Sequence, residues 1–447
     1  MNGSGKFPND RIRRSVRFPT MGVKVAVIGG GSTYTPELVE GFARRSDALP
    51  VDELVLFDID PERLAVVGGL ADRMLRRSGW GGNLRLTRDR GEAFDGADFV
   101  VVQLRVGGQR ARYLDETIPV RFGCVGQETT GPGGFAKGLR TIPVVLDLAE
   151  ETARRAAPGA WFVDFTNPTG MVTQALLDEG YRAIGLCNVA IGFQRRFARL
   201  FDVEPERVEL EHVGLNHLSW ERAVRVDGVD RLPEILRDDL EDVADDTDLP
   251  ADLIRSIGAV PSYYLRYYYL APETVEEQKT ARTRAEEVME IEEGLLELYR
   301  DPSIDRKPEL LEHRGGAFYS EAAAQLIASL FAGTNDVQVV NVRNDGAVPN
   351  LDADDVIETP ARIDRDGAHP VPLAPLDAHM HGLVAHAKAY ERLAIRAAVM
   401  GDRRVALEAL LTNPLVPGYH VAAELLDALL DANREHLPRF FGDGAPA

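Results

Sequence analysis

The chain has 447 residues, 45% hydrophobic and 27% charged, a balance that suits two folded domains and excludes a disordered or fibrous polymer. Its 51 Lys and Arg stand against 71 Asp and Glu, a formal net charge of −20, so neither nucleic acid nor a membrane surface is expected as a partner. The two cysteines, Cys124 and Cys187, cannot build a disulfide framework and point to a reducing cytoplasm, and no apolar run reaches the roughly 20 residues that span a bilayer.

Residues 1–21 are polar and Arg-rich and read as a disordered extension, with Met21 as an alternative start. From Val23, VKVAVIGGG is an apolar strand running into glycines, and TPELVEGFARR reads as a helix with Pro36 in its first turn. ELVLFDID (53–60) is the next buried strand. The helix after it carries Leu64, Val67, Leu70 and Met74 at three-to-four spacing. LRLTRD, ADFVVVQLRVGG (97–108), a helix around Pro143–Ala157, and the strands AWFVDFTNP and RAIGLCN continue the alternation. Strands rich in Val, Ile and Phe without polar alternation belong to a parallel sheet covered on both faces. The fold class expected is therefore α/β, a doubly wound, Rossmann-like parallel sheet over residues 22–196.

Beyond residue 196 the pattern changes. VELEHVGLNHLSWERAVRVDG alternates like antiparallel strands, acidic helices cover 233–246, and an aromatic stretch, PSYYLRYYYL, covers 261–270. TARTRAEEVMEIEEGLLELYRD and SEAAAQLIASLFAG (320–333) read as helices, DVQVVNVRNDG as a strand, and Ala378–Leu437 as a helical tail. Residues 197–447 are expected to form an α+β domain.

Gly29-Gly30-Gly31-Ser32-Thr33-Tyr34 lies between a strand and a helix, where glycines let a backbone approach a pyrophosphate and helix N–H groups hold it. Gly29 and Gly31 match the first two glycines of G-x-G-x-x-G, with Tyr34 at the third. Asp58, at the end of the next strand, suits a ribose diol and favours NAD over NADP. Gly29, Gly31, Ser32, Thr33 and Asp58 are the candidate cofactor contacts.

Cys187 follows a buried strand, and His217 lies in GLNHLSW. A thiolate and an imidazole make half of a transition-metal site with positions left open for substrate. On spacing alone, core packing explains both residues better.

The blocks GGGSTYTPELVEGF, GQETTGPGGFAKGLRTIP, DFTNPTGMVTQAL, GLCNVAIGFQRR, GLNHLSW and PSYYLRYYY, and later GGAFYSEAAAQLI and VVNVRNDGAVPNLDADDVIETPARID, resemble in this order glycoside hydrolase family 4. The resemblance runs from about residue 23 to the C-terminal helices. It implies an NAD-binding domain followed by a domain like that of lactate and malate dehydrogenases. The implied activity is redox-assisted elimination: oxidation of the sugar at C3 by NAD⁺, proton removal at C2, loss of the aglycone, water addition and re-reduction. It further implies a divalent metal, usually Mn²⁺, held by Cys187 and His217, and a tyrosinate base at Tyr264. A free Tyr has a pKa near ~10, and lowering it by ~3 units takes about 4 kcal/mol, which a divalent cation or Arg266 would help supply. Tyr263, Tyr267, Tyr268 and Tyr269 compete for this role. Without the resemblance the stretch reads as a packed aromatic strand or helix.

Members with Cys-Asn-Val at the metal block resemble 6-phospho-β-glucosidases; here the block is Cys187-Asn188-Val189-Ala190, where that subgroup usually continues with Pro. The resemblance assigns sugar-phosphate contacts to Arg112 and Arg284, with Arg105 a further candidate, since phosphate calls for a fork of Arg donors. Asn167 and Asn188 are expected at the sugar hydroxyls, with Asn188 counted alongside Tyr264 as a catalytic residue, and Glu128 in the same pocket. A small-molecule sugar phosphate is thus the expected substrate, and a homo-oligomer, dimer or tetramer, the expected assembly. The competing readings are a family member acting on α-linked or unphosphorylated sugars, an NAD-dependent 2-hydroxy acid dehydrogenase, and a non-enzymatic NAD-binding regulator.

Overall fold

The computed structural model describes residues 22–315 and 319–442. The extension expected over 1–21 and part of the GGAFYS block lie outside the described residues. Six strands build the first half: β1 (Val23–Ile28), β2 (Val51–Phe57), β3 (Asn83–Thr87), β4 (Phe99–Val102), β5 (Trp161–Asp164) and β6 (Ala183–Gly185). All pair in parallel in the order β3-β2-β1-β4-β5-β6, the dinucleotide-binding arrangement with its crevice between β1 and β4, where the strand order reverses.

The second half adds β7 (Val208–Leu215), β8 (Leu218–Val226), β9 (Val229–Asp230), β10 (Val260–Pro261), β11 (Val337–Arg343), β12 (Val356–Asp364) and β13 (Gly367–Pro370). These strands extend the same sheet rather than start another: β11 joins β6 antiparallel through Asn341 and Gly185, and β12, β7, β8 and β10 follow. The helix Tyr319–Ala332 covers one face of the first-half strands. The C-terminal helices Ala378–Met400 and Arg403–Thr412 share a core with the helix Gly131–Arg155. No helix among the described residues is long and apolar enough to cross a membrane.

Two local expectations change. The helix expected from Pro143 begins at Gly131, and Pro143 lies within it. The glycines of GPGGF are there because the preceding loop is pressed against the helix. A Cβ on Gly133 would fall 2.2 Å from the Gln127 carbonyl oxygen, and one on Gly134 2.4 Å from that of Thr129. The aromatic stretch is neither one strand nor one helix. Pro261 pairs with Trp220 on β8, Tyr263–Leu265 form a 3₁₀ turn capped by the Ser262 hydroxyl, and Arg266–Tyr269 form one helical turn.

Candidate active site

A cleft of about 1230 Å³ opens at the carboxyl ends of the parallel strands, with Gly29, Gly31, Ser32 and Asp58 along one end and Asn167, Asn188 and Tyr264 toward the other. At the first end the chain turns because Gly29 has φ +85° and a Cβ there would lie 2.9 Å from the Gln103 carbonyl oxygen. The Gly31 amide donates to Asp58 Oδ2 (2.8 Å), which fixes the carboxylate at the tip of β2. Thr33 is fully buried and is not part of the cleft wall. Its hydroxyl meets Glu292 (3.3 Å), which itself lines the cleft, and its carbonyl accepts from the Tyr299 hydroxyl (2.7 Å). Glu292 also accepts from Gln109, Arg63 and Arg314, so the helix Arg284–Arg300 braces the glycine turn. Nothing in the sequence singles Glu292 out, since Thr33, Arg63 and Gln109 lie 183 or more residues away and Arg314 sits in a separate 3₁₀ turn.

Toward the centre, Glu128 is buried and meets three cations: Arg105, Lys137 (2.6 Å) and Arg112 (3.3 Å). Burial pushes its carboxyl up, but these charges outweigh that and hold it well below the usual carboxylate range. Lys137 is pushed down to about 7 by burial and by Arg105, against Glu128. Arg112 also bonds Glu116 (2.7 Å), whose other oxygen accepts from the Ala285 amide (2.8 Å). Glu116 thereby ties Arg112 to the start of the helix that carries Arg284. That helix starts with a capping box of Thr283 and Glu286. Arg284 itself is held by Glu287 and the His313 carbonyl, both at 2.7 Å, on the cleft wall. Arg112, Arg105, Glu128 and Arg284 therefore share one wall.

Cys187 and His217 lie just beneath the floor, each 3% exposed. Cys187 follows β6, and Asn188 stands at the residue before the helix Val189–Leu200. His217 occupies the two-residue turn between β7 and β8 with φ +63°, and its ring stacks on that of Tyr264 at 3.6 Å and 9°. Tyr263 is tilted against Tyr264 at 4.3 Å. Burial, then Cys187 and Tyr267, push the Tyr263 hydroxyl up. Arg112 is near enough to Tyr264 for the two to interact electrostatically, whereas Arg266 is engaged with Asp248 and Glu277. Of the competing tyrosines, Tyr263 and Tyr267 also line the cleft, while Tyr268 and Tyr269 pack into the core beside Trp220.

Burial holds the His217 imidazole low, at about 4, so the ring is neutral. Its Nδ1 meets Thr129 Oγ1 at 2.8 Å, and its Nε2 is buried with no hydrogen-bond partner. An unpartnered imidazole nitrogen and a buried thiol facing one tyrosine turn fit a divalent transition-metal cation. Among the described residues no group of three or more His, Cys, Asp or Glu stands ready to hold a metal. Two protein donors suit a cation that keeps positions for substrate. Behind His217, the sheet buries His212 between Glu221 (2.7 Å) and Glu358 (3.4 Å).

Two family models match the chain: "Family 4 glycosyl hydrolase" over residues 24–203 and its C-terminal domain over 212–416. A probable 6-phospho-β-glucosidase of Bacillus subtilis is 44% identical over 437 residues, covering 94% of this chain and 99% of its own. The structure of the 6-phospho-β-glucosidase of Thermotoga maritima with manganese, NAD⁺ and glucose 6-phosphate superposes with a TM-score of 0.88 at 37% identity, over 93% of this chain and 99% of that one. Malate dehydrogenase of Plasmodium falciparum, at 15% identity and a TM-score of 0.50 over 84% of this chain and 98% of that one, shares the fold.

Proposed function

Because the chain belongs to the family 4 glycosyl hydrolases, we propose that it hydrolyses 6-phospho-β-glucosides with NAD and Mn²⁺ as cofactors. The observation that carries this reading is Tyr264 stacked on His217, beneath a wall bearing Arg112 and Arg284. It is supported by the B. subtilis relative and by the ligands bound to the T. maritima enzyme.

Gly29, Gly31 and Ser32 hold the pyrophosphate and Asp58 accepts from the ribose hydroxyls, with Thr33 contributing only its backbone. Arg112 and Arg284 bind the sugar phosphate, and Asn167 and Asn188 orient the hydroxyls. Cys187 and His217 would hold the cation. When bound, NAD supplies reversible hydride exchange at C3, and the cation supplies stabilisation of negative charge on the neighbouring oxygens. Tyr264, as the phenolate, takes the proton from C2, and the positive charge of Arg112 favours that phenolate. Glu128 holds Arg112 in place while three cations keep its own carboxylate charged. A thiolate ligand at Cys187 suits a reducing cytoplasm. The exposed Met400, Leu411 and Tyr419 on the C-terminal helices offer apolar surface for a dimer or tetramer.

The test is incubation of reduced protein with a chromogenic 6-phospho-β-glucoside, NAD⁺ and Mn²⁺ in D₂O. Hydrolysis with deuterium at C2 of the product is expected. Hydrolysis without deuterium would remove Tyr264 as base, and turnover of only α-linked or unphosphorylated substrates would overturn the substrate reading. Net NADH formation from a 2-hydroxy acid without metal would make the chain a dehydrogenase instead.

A further inference from the structure

We propose that Gln127 and Thr129 set the tautomer of His217, placing its proton on Nδ1 so that Nε2 presents a bare lone pair for the metal. The inference rests on the metal reading of Cys187 and His217.

It follows from counting hydrogens. The amides of Thr129 and Thr130 both point at Gln127 Oε1, at 2.5 and 2.7 Å. An amide nitrogen in that place would face two donors, so the orientation of the Gln127 side chain is fixed. Thr129 Oγ1 lies 2.8 Å from the same oxygen. The hydroxyl hydrogen goes to that oxygen rather than to His217 Nδ1, because giving it to Nδ1 would leave the ring's own proton on the buried Nε2, with no acceptor to receive it. What Thr129 turns toward His217 Nδ1, 2.8 Å away, is therefore a lone pair, and Nδ1 must carry the hydrogen. A neutral imidazole has one N–H, so Nε2 has none. That nitrogen is also the one with no hydrogen-bond partner in the buried floor.

The relay sits on rigid supports. Its loop is pressed against the helix Gly131–Arg155, where the glycines at 133 and 134 admit the Gln127 and Thr129 carbonyls. The imidazole is clamped from its other side by the Tyr264 ring. Thr129 is thus a positioning residue that acts on the metal through His217, the part an outer partner plays for a ligating histidine.

Two measurements test it. In metal-free wild-type protein labelled with ¹⁵N-histidine, the His217 signal, identified by its loss in His217→Gln, is expected to show a protonated Nδ1 and an unprotonated Nε2. A protonated Nε2 overturns the proposal. Separately, Mn²⁺ titration by calorimetry or electron paramagnetic resonance should give Thr129→Val about 10- to 100-fold weaker binding, while Thr129→Ser, which keeps the hydroxyl, stays close to wild type. Equal affinity for Thr129→Val and wild type refutes the relay. Cys187→Ser separates the two readings: if it binds Mn²⁺ as wild type does, the metal reading falls. The nitrogen spectrum needs neither metal nor variant fold at Thr129 and still decides the tautomer.

Discussion

Adding one methyl group at Gly31 should cost the nucleotide site its ribose acceptor while leaving the fold in place. A Cβ there would lie 2.8 Å from Asp58 Oδ2, 2.9 Å from its Cγ and 3.1 Å from Arg63 Cβ. Gly31 does not use a left-handed backbone, so its backbone tolerates alanine, and the closest opposition comes from the carboxylate, with a smaller one from Arg63 Cβ. Asp58 is held by two amides, Gly31 at 2.8 Å and Asp60 at 3.0 Å, and can yield only by giving up the first. A hydrogen bond to a charged group is worth about 1.5–3 kcal/mol. Displacing the acceptor from the ribose should therefore weaken NAD⁺ binding roughly 10- to 150-fold. Stability should change by less than about 1 kcal/mol, because water can replace the lost partner at a half-exposed site. Gly29→Ala is the contrast, since φ +85° and a contact of 2.9 Å with the Gln103 carbonyl strain the backbone itself. NAD⁺ affinity by calorimetry, with a thermal melt of each variant, decides the matter. If Gly31→Ala binds NAD⁺ within a few-fold of wild type, or melts as early as Gly29→Ala, the assignment of Asp58 is wrong.

Arg284→Ala should raise KM for a phosphorylated substrate by about 10- to 100-fold, the worth of a charge-assisted contact, and leave any residual rate on the unphosphorylated analogue unchanged; an equal effect on both would remove Arg284 from the phosphate site. Asp115→Ala strands the guanidinium of Arg140, which is 1% exposed and also holds the Val106 carbonyl and Asn433; a loss of about 3–5 kcal/mol in chemical denaturation is expected, and a loss under 1 kcal/mol would contradict the ion pairing. His212, raised to about 10 by Glu221 and Glu358 despite its burial, binds its proton more tightly folded than unfolded. Its stabilisation is therefore complete below its unfolded value of about 6.5 and fades as pH rises toward 10, by at most about 1.4 kcal/mol per pH unit. The stability gap between wild type and His212→Gln, followed by urea denaturation between pH 6.5 and 9.5, should narrow as pH rises; a constant gap would mean that His212 is neutral in the fold.

Much of this was legible because it is local. A run such as VKVAVIGGG carries its strand, its turn and its helix start within a dozen residues, and the parallel pairing of the strands follows from the β/α alternation, though their order does not. Cys187, His217 and Tyr264 could not be joined by spacing. They meet only because β6, the β7–β8 turn and the turn after β10 end at the same level of one sheet. The resemblance to family 4 supplied what spacing lacked. Even so, the glycine-turn motif put Thr33 among the cofactor contacts without showing that its side chain meets Glu292. Nearness in sequence made Arg266 a helper for the phenolate, although Arg266 is engaged elsewhere and Arg112 interacts with Tyr264. Lys137, Glu116 and Gln127 were missed for a shared reason. Each acts through a partner chosen by packing, and a polar residue in a helix or loop gives no sign in sequence of whether it meets water or a buried charge.

The charge of the chain takes on a different meaning beside the cleft. Overall the sequence is −20, yet among the described residues nine Lys and Arg line the cleft against six Asp and Glu. At physiological ionic strength the screening length is about 8 Å, so acidic surface farther away hardly opposes an anion that has reached the cleft mouth. Inside, the carboxylates do not cancel the cations so much as fix them. Glu128 gathers Arg105, Arg112 and Lys137, Glu116 joins Arg112 to the helix bearing Arg284, and Glu292 ties Arg63 and Arg314 to the glycine turn. A buried cation that is already paired pays less to meet a second anion than one that must first be ordered and desolvated. An acidic protein can therefore bind a doubly charged sugar phosphate and a dinucleotide side by side, because its local excess of positive charge is small, preorganised and held in place by acids.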